Sequence, residues 1–68
     1  SGTDPTDRLT LWQAVMSLSD DLRAAVTLYY YDGLSVREIG TVLGISEAAV
    51  KTRLSRGRER LRQLLREE

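Results

Sequence analysis

The chain has no cysteine and no histidine in its 68 residues. Without cysteine there can be neither disulfides nor thiolate metal sites. Without histidine the commonest general base and the commonest metal ligand are gone. No apolar run approaches the roughly 18 residues that a membrane span needs, and no secretory signal pattern appears. The expected location is cytoplasmic, with no direct membrane contact. There is no glycine-rich phosphate loop, and no carboxylate stands beside a nucleophile. An enzyme is therefore the least supported class, and neither a cofactor nor a small-molecule substrate is expected. A domain of about 60 residues buries only roughly 60% of its unfolded surface, which leaves little room for a catalytic cavity.

What the chain does have is charge, unevenly placed. The formal net charge is zero, from ten basic and ten acidic residues. Residues 1–50 carry three arginines against seven acids, a net −4. Residues 51–68 carry seven basic residues against three acids, a net +4. Positive charge gathered on one segment is an electrostatic footprint for phosphate. It is also what a solvated helix with many i,i+4 pairs would show. Nine of the ten basic residues are arginine, which suits bidentate contacts to phosphate and guanine.

Periodicity predicts four helices. Residues 1–3 read as a tag remnant or disordered end. Pro5 fits a first helical turn with Asp4 as its N-cap, and this helix should run to about Ser17. Leu9, Trp12, Val15 and Met16 form its apolar stripe. Trp12 is expected in the core or in a docking face. Ser19 is the expected N-cap of a second helix, with Asp20 and Asp21 at its positive end. Leu22, Ala25, Val26 and Tyr29 should line its inner side, and Gly33 should be a left-handed C-cap. Tyr29, Tyr30 and Tyr31 point in different directions on a helix, so they cannot form one stacking platform. Tyr29 is expected in the core.

Residues 35–58 are the most informative stretch. Ser35 and Glu38 make a capping box, so Glu38 reads as a structural cap. Val36, Ile39 and Leu43 should face inward. Gly40 sits mid-helix, where glycine costs about 1 kcal/mol relative to alanine; a neighbouring helix backbone approaching closely would explain it. Gly44 ends the third helix, Ile45 plugs the core and Ser46 caps the fourth. That helix should run from about Glu47 to Arg66, roughly 30 Å. Val50, Leu54, Gly57, Leu61 and Leu64 form its expected buried stripe. Thr52, Ser55, Arg56, Glu59 and Gln63 fall on the opposite side. Lys51, Arg58 and Arg62 flank one edge, and Arg53 and Arg60 the other. Two short helices joined by a tight glycine turn, the second basic outside, make a helix-turn-helix that can enter the DNA major groove. Hydroxyls and guanidinium groups in the centre suit base edges, and the basic flanks suit phosphates.

Leu18-Ser19-Asp20-Asp21-Leu22-Arg23, Tyr30-Tyr31-Asp32-Gly33-Leu34-Ser35-Val36-Arg37-Glu38-Ile39-Gly40 and Val50-Lys51-Thr52-Arg53-Leu54-Ser55-Arg56-Gly57-Arg58-Glu59-Arg60-Leu61 carry a resemblance that covers most of the chain. It resembles region 4 of an extracytoplasmic-function sigma factor. The family usually has proline at position 19, Gly-Thr at 48–49 and alanine at 57. The resemblance implies an all-α, compact four-helix domain over residues 4–68 with a C-terminal helix-turn-helix of the homeodomain-like or winged-helix-like type. It implies two partners, promoter double-stranded DNA read at the −35 element and the beta flap of the RNA polymerase core. An anti-sigma factor is a further implied partner. Carried over by position, Lys51, Thr52, Ser55 and Arg56 face bases. Arg37, Arg53 and the amide end of the helix at Ser46 face the phosphate backbone, as do the flanking Arg58 and Arg60. Region 2, which melts the −10 element, has no counterpart in these residues, so a fragment of a sigma factor is implied.

Two rivals remain. A LuxR-type helix-turn-helix shares the Leu-Ser-x-x-Glu-Ile pattern and the Gly-Ile-Ser turn. Those proteins usually continue differently after Val-Lys, and they tend to bind paired half-sites as dimers. The other rival is a protein-interaction module that mainly binds an anti-sigma factor.

Overall fold

The computed structural model describes residues 10–66. The expectations for residues 1–3, Asp4, Pro5 and Leu9 lie outside them. The described residues are all helix and connection, in four helices: α1 (Leu11–Met16), α2 (Asp20–Tyr30), α3 (Val36–Leu43) and α4 (Glu47–Arg66). The all-α expectation holds.

Helix α1 starts later than the sequence reading placed it. Thr10 is extended, at φ −76° and ψ 163°. Its hydroxyl accepts from the Gln13 amide at 3.1 Å, and its own amide donates to Gln13 Oε1 at 2.9 Å. This reciprocal capping box starts α1 at Leu11. The turn into α2 also differs. Ser19 occupies the N-cap position but makes no side-chain cap hydrogen bond. Arg23 holds the turn in its place. It donates to the carbonyls of Met16 (3.0 Å) and Leu18 (3.3 Å) and to Asp20 Oδ1 (2.5 Å). The end of α1 is thus tied to the start of α2 by one guanidinium.

At the far end of α2 the C-cap is Tyr31, not Gly33. Gly33 is left-handed (φ 73°), as expected, but lies two residues further on. Its conformation lets the Leu34 amide return to the Leu28 carbonyl at 3.0 Å. Ser35 and Glu38 form the expected capping box, at 3.0 and 2.8 Å. Gly44 ends α3 in the left-handed region, at φ 71° and ψ 35°.

The core joins Val15, Leu18, Ala25, Val26, Ile39, Val50 and Leu54. Fully burying each large aliphatic side chain contributes about 1.5–3 kcal/mol. Helices α2 and α4 each pack on all three others, and their mutual contact is the most extensive. The aromatics lie outside this core. Tyr29 is 38% exposed, against the expectation that it is buried, and Trp12, expected in the core or in a docking face, is 53% exposed and so not core. Helix α1 has only six residues, and Ala14 and Val15 fill its inner side. Trp12 is left at the rim, edge-on to Tyr31 at 5.3 Å. On α2, Ala25 and Val26 fill the core while Leu22 and Leu28 pack against it. That rotation puts Tyr29 outside, edge-on to Tyr30. Met16 is exposed for the same reason as Trp12. On α4 burial is complete only at Val50, Leu54 and Gly57. Leu61 and Leu64 are half-buried, because the helix outruns the short helices it packs on.

Two glycines mark where backbones or side chains meet too closely for a methyl group. A Cβ on Gly40 would lie 2.8 Å from the Ile45 carbonyl oxygen. The same residue accepts the Ile45 amide at 3.0 Å. The neighbour beside Gly40 is therefore the turn between α3 and α4, not the backbone of another helix as expected. A Cβ on Gly57 would lie 2.6 Å from Val26 Cγ2. The alanine usual in the resembling family would collide with this valine.

Gly40→Ala is expected to lower stability by about 1–3 kcal/mol through overpacking. Helix propensity alone would raise it by about 1 kcal/mol. Urea unfolding measures the sign directly.

Candidate nucleic-acid interface

Helix α4 is launched from Ser46. Its hydroxyl accepts from the Ala49 amide and its carbonyl from the Val50 amide, both at 3.0 Å. The first amides of the helix, at Glu47 and Ala48, have no carbonyl a turn earlier to bind. They leave a partial positive end open to an anion. Glu47 stands in the same turn, and its carboxylate competes for that end.

The rotation of α4 is set by Val50, Leu54 and Gly57, all buried. Lys51, Thr52, Ser55 and Arg56 are consequently all exposed. One helix therefore presents two cationic and two hydroxyl side chains within about a turn and a half. Among the described residues, neither Lys51 nor Arg56 has a side-chain hydrogen bond or ion pair.

The flanking arginines are engaged in different ways. Arg53 leans back onto α2 and lies 3.8 Å from Asp21, with 28% of its side chain exposed. Arg58 donates to the Tyr30 hydroxyl at 3.1 Å. Arg60 donates to Gln63 Oε1 at 3.3 Å. Arg62 pairs with Glu59 on the outward face. Arg37 is exposed on α3 and borders an open groove of about 390 Å³ with Leu34, Glu38, Thr41 and Val42. The base-facing candidates thus share one continuous surface. The phosphate candidates are spread over α3, the turn and both edges of α4.

Sequence reasoning missed Asp21 and Tyr30 as partners of these arginines. Both contacts join α2 to α4 across a long separation in sequence, 28 residues in the case of Tyr30 and Arg58. No local pattern reports such a pair. Among the described residues no group of three or more histidine, cysteine or acidic side chains could hold a metal ion. No helix there is long and apolar enough to cross a membrane.

This geometry agrees with what comparison shows. Residues 8–61 match the family model described as sigma-70, region 4. The chain belongs to the sigma-70 region 4 family. It is 47% identical over 58 residues to the ECF RNA polymerase sigma factor SigW of Bacillus subtilis (strain 168), covering 85% of this chain and 31% of SigW. It is 45% identical over 63 residues to the RNA polymerase sigma factor CarQ of Myxococcus xanthus, covering 93% of this chain and 36% of CarQ. Against the ECF RNA polymerase sigma factor SigE of Mycolicibacterium smegmatis (strain ATCC 700084 / mc(2)155) it is 46% identical over 55 residues, covering 81% and 21%. The chain therefore spans about a third or less of the length of these relatives.

Asp21→Asn removes the carboxylate that holds Arg53. The pair is exposed, so stability should change by less than about 1 kcal/mol. Binding to duplex DNA should tighten at low salt, and its salt slope should steepen by about one unit. Anisotropy titrations at several salt concentrations check this.

Proposed function

We propose that this region 4 domain reads the −35 element of a promoter for an alternative, extracytoplasmic-function sigma factor and docks on the beta flap of RNA polymerase. In this reading residues 4–68 act as one unit and have no enzymatic role. The observation that carries it is the exposed row of Lys51, Thr52, Ser55 and Arg56 on a helix whose rotation is set by its buried stripe. Those side chains meet base edges in the major groove. Thr52 and Ser55 can donate or accept, and Arg56 can bind guanine in a bidentate way. Arg37, Arg58, Arg60 and the capped end at Ser46 contact phosphates and set the register. Arg53 does so only after parting from Asp21.

Docking on the polymerase needs apolar surface away from that row. Leu11, Trp12, Met16 and Tyr31 are all exposed on α1 and at the end of α2. Trp12 and Tyr31 meet edge-on, and exposed apolar side chains grouped at one end of the domain are the kind of surface that binds proteins. The same patch favours a second reading, in which the domain acts mainly by binding an anti-sigma factor. A bare domain that neutralises few phosphates binds DNA weakly, so the two roles are compatible.

Selection from a random duplex pool at low salt, followed by sequencing, tests the first reading. One short asymmetric motif is the expected outcome. A palindrome, the mark of paired half-sites, would count against this reading. A folded domain that enriches nothing would favour the protein-binding role.

Arg56→Ala should cost about 1–3 kcal/mol at one base position and relax specificity there. The same selection, repeated on the variant, reads this out. An unchanged base preference would sink the assignment of Arg56.

A further inference from the structure

The two interhelical arginine contacts differ in chemistry. Arg53 meets a carboxylate, which cancels its charge towards any phosphate. Arg58 meets a phenol, which is neutral. The guanidinium has five N–H donors and spends one on Tyr30 Oη. Among the described residues no carboxylate pairs with Arg58, which stands on an exposed edge of α4.

The holder packs against its neighbour. The Tyr30 ring packs edge-on against Tyr29, with centroids 4.9 Å apart and an interplanar angle of 79°. Both rings stand on the last turn of α2, whose Ala25 and Val26 are buried in the core. An arginine side chain has many rotamers to lose when it binds. One already oriented by a rigid neighbour loses fewer, which is how preorganisation raises affinity.

We propose that the Tyr30 hydroxyl is a positioning residue for DNA binding: it holds the Arg58 guanidinium in place for a backbone phosphate, so that α2 acts on DNA through α4. This rests on the DNA-binding reading above. Accepting from a cation also polarises the phenol O–H and makes it a better donor. The contact carries no sequence information, because phosphates are alike at every base pair.

The test uses the 68-residue chain and a labelled random-sequence duplex at low salt. Wild type, Tyr30→Phe, Arg58→Ala and the double variant are titrated, and their urea midpoints compared. Phenylalanine keeps the ring and its packing on Tyr29, so the midpoint should not move. Tyr30→Phe should weaken binding about two- to fivefold, the range of one exposed hydrogen bond. Arg58→Ala should weaken it at least as much and flatten the salt slope by about one unit. Adding Tyr30→Phe to Arg58→Ala should change nothing further. Base preference in the selected pool should be the same with and without the hydroxyl. If Arg58→Ala weakens binding and Tyr30→Phe does not, the positioning role is overturned and the DNA reading stands. If the two losses simply add, Tyr30 acts independently of Arg58 and the proposal also fails. If the folded wild type binds no duplex, the DNA reading falls and takes this one with it.

Discussion

The backbone of α3 at Gly40 lies against the turn that launches α4, and the rest of the domain depends on that approach. The Ile45 amide donates to the Gly40 carbonyl, and only a hydrogen atom fits between Gly40 Cα and the Ile45 oxygen. Gly44 supplies the left-handed residue that closes the turn. Ser46 then caps the next helix one residue after Ile45 has packed against the core. The angle between α3 and α4 follows from these local requirements. Once the angle is set, Ile39 and Val50 meet in the core, and the polar side of α4 can only face solvent.

A neutral chain can still present a positive surface if its charges are separated by structure. Here α4 takes the arginines, and acids stand in the first turn of α2. The separation is incomplete, because α2 crosses close to α4. Its Asp21 reaches one arginine and its Tyr30 another. One contact subtracts charge from the surface and the other leaves it intact. The effective potential over α4 is thus decided by which α2 side chain faces each guanidinium, which a count of residues does not report. Surface interactions of this kind weaken as salt rises.

Much of this was legible in the residues. The Ser35–Glu38 box, the Gly44 turn and the inward row of Val50, Leu54 and Gly57 are local patterns, and local patterns survive folding. The outward placement of Lys51, Thr52, Ser55 and Arg56 follows from that row by helical geometry alone. What misled was size. Trp12 and Tyr29 are large and apolar, and a helical stripe containing them reads as core. On α1 and α2 the buried positions are filled by alanine and valine, and the aromatics are displaced to the rim. The Thr10–Gln13 capping box that starts α1 was not read from the sequence. The roles of Arg23, Asp21 and Tyr30 were hidden for another reason. Each depends on where a second helix passes, and no spacing within one helix reports that.

The crossing of α2 over α4 at Val26 and Gly57 has a consequence for how such domains can be recombined. A helix whose outward residues are few is an attractive unit to transplant. At this crossing the unit is not self-contained. A donor helix that brings alanine at 57 would press its methyl group into the Val26 side chain, whatever its DNA-facing residues are. A graft into this scaffold must carry its own residue 26 along, or keep the host glycine. The boundary of the exchangeable module runs through α2 as well as through the turn, and two positions far apart in sequence have to be inherited together.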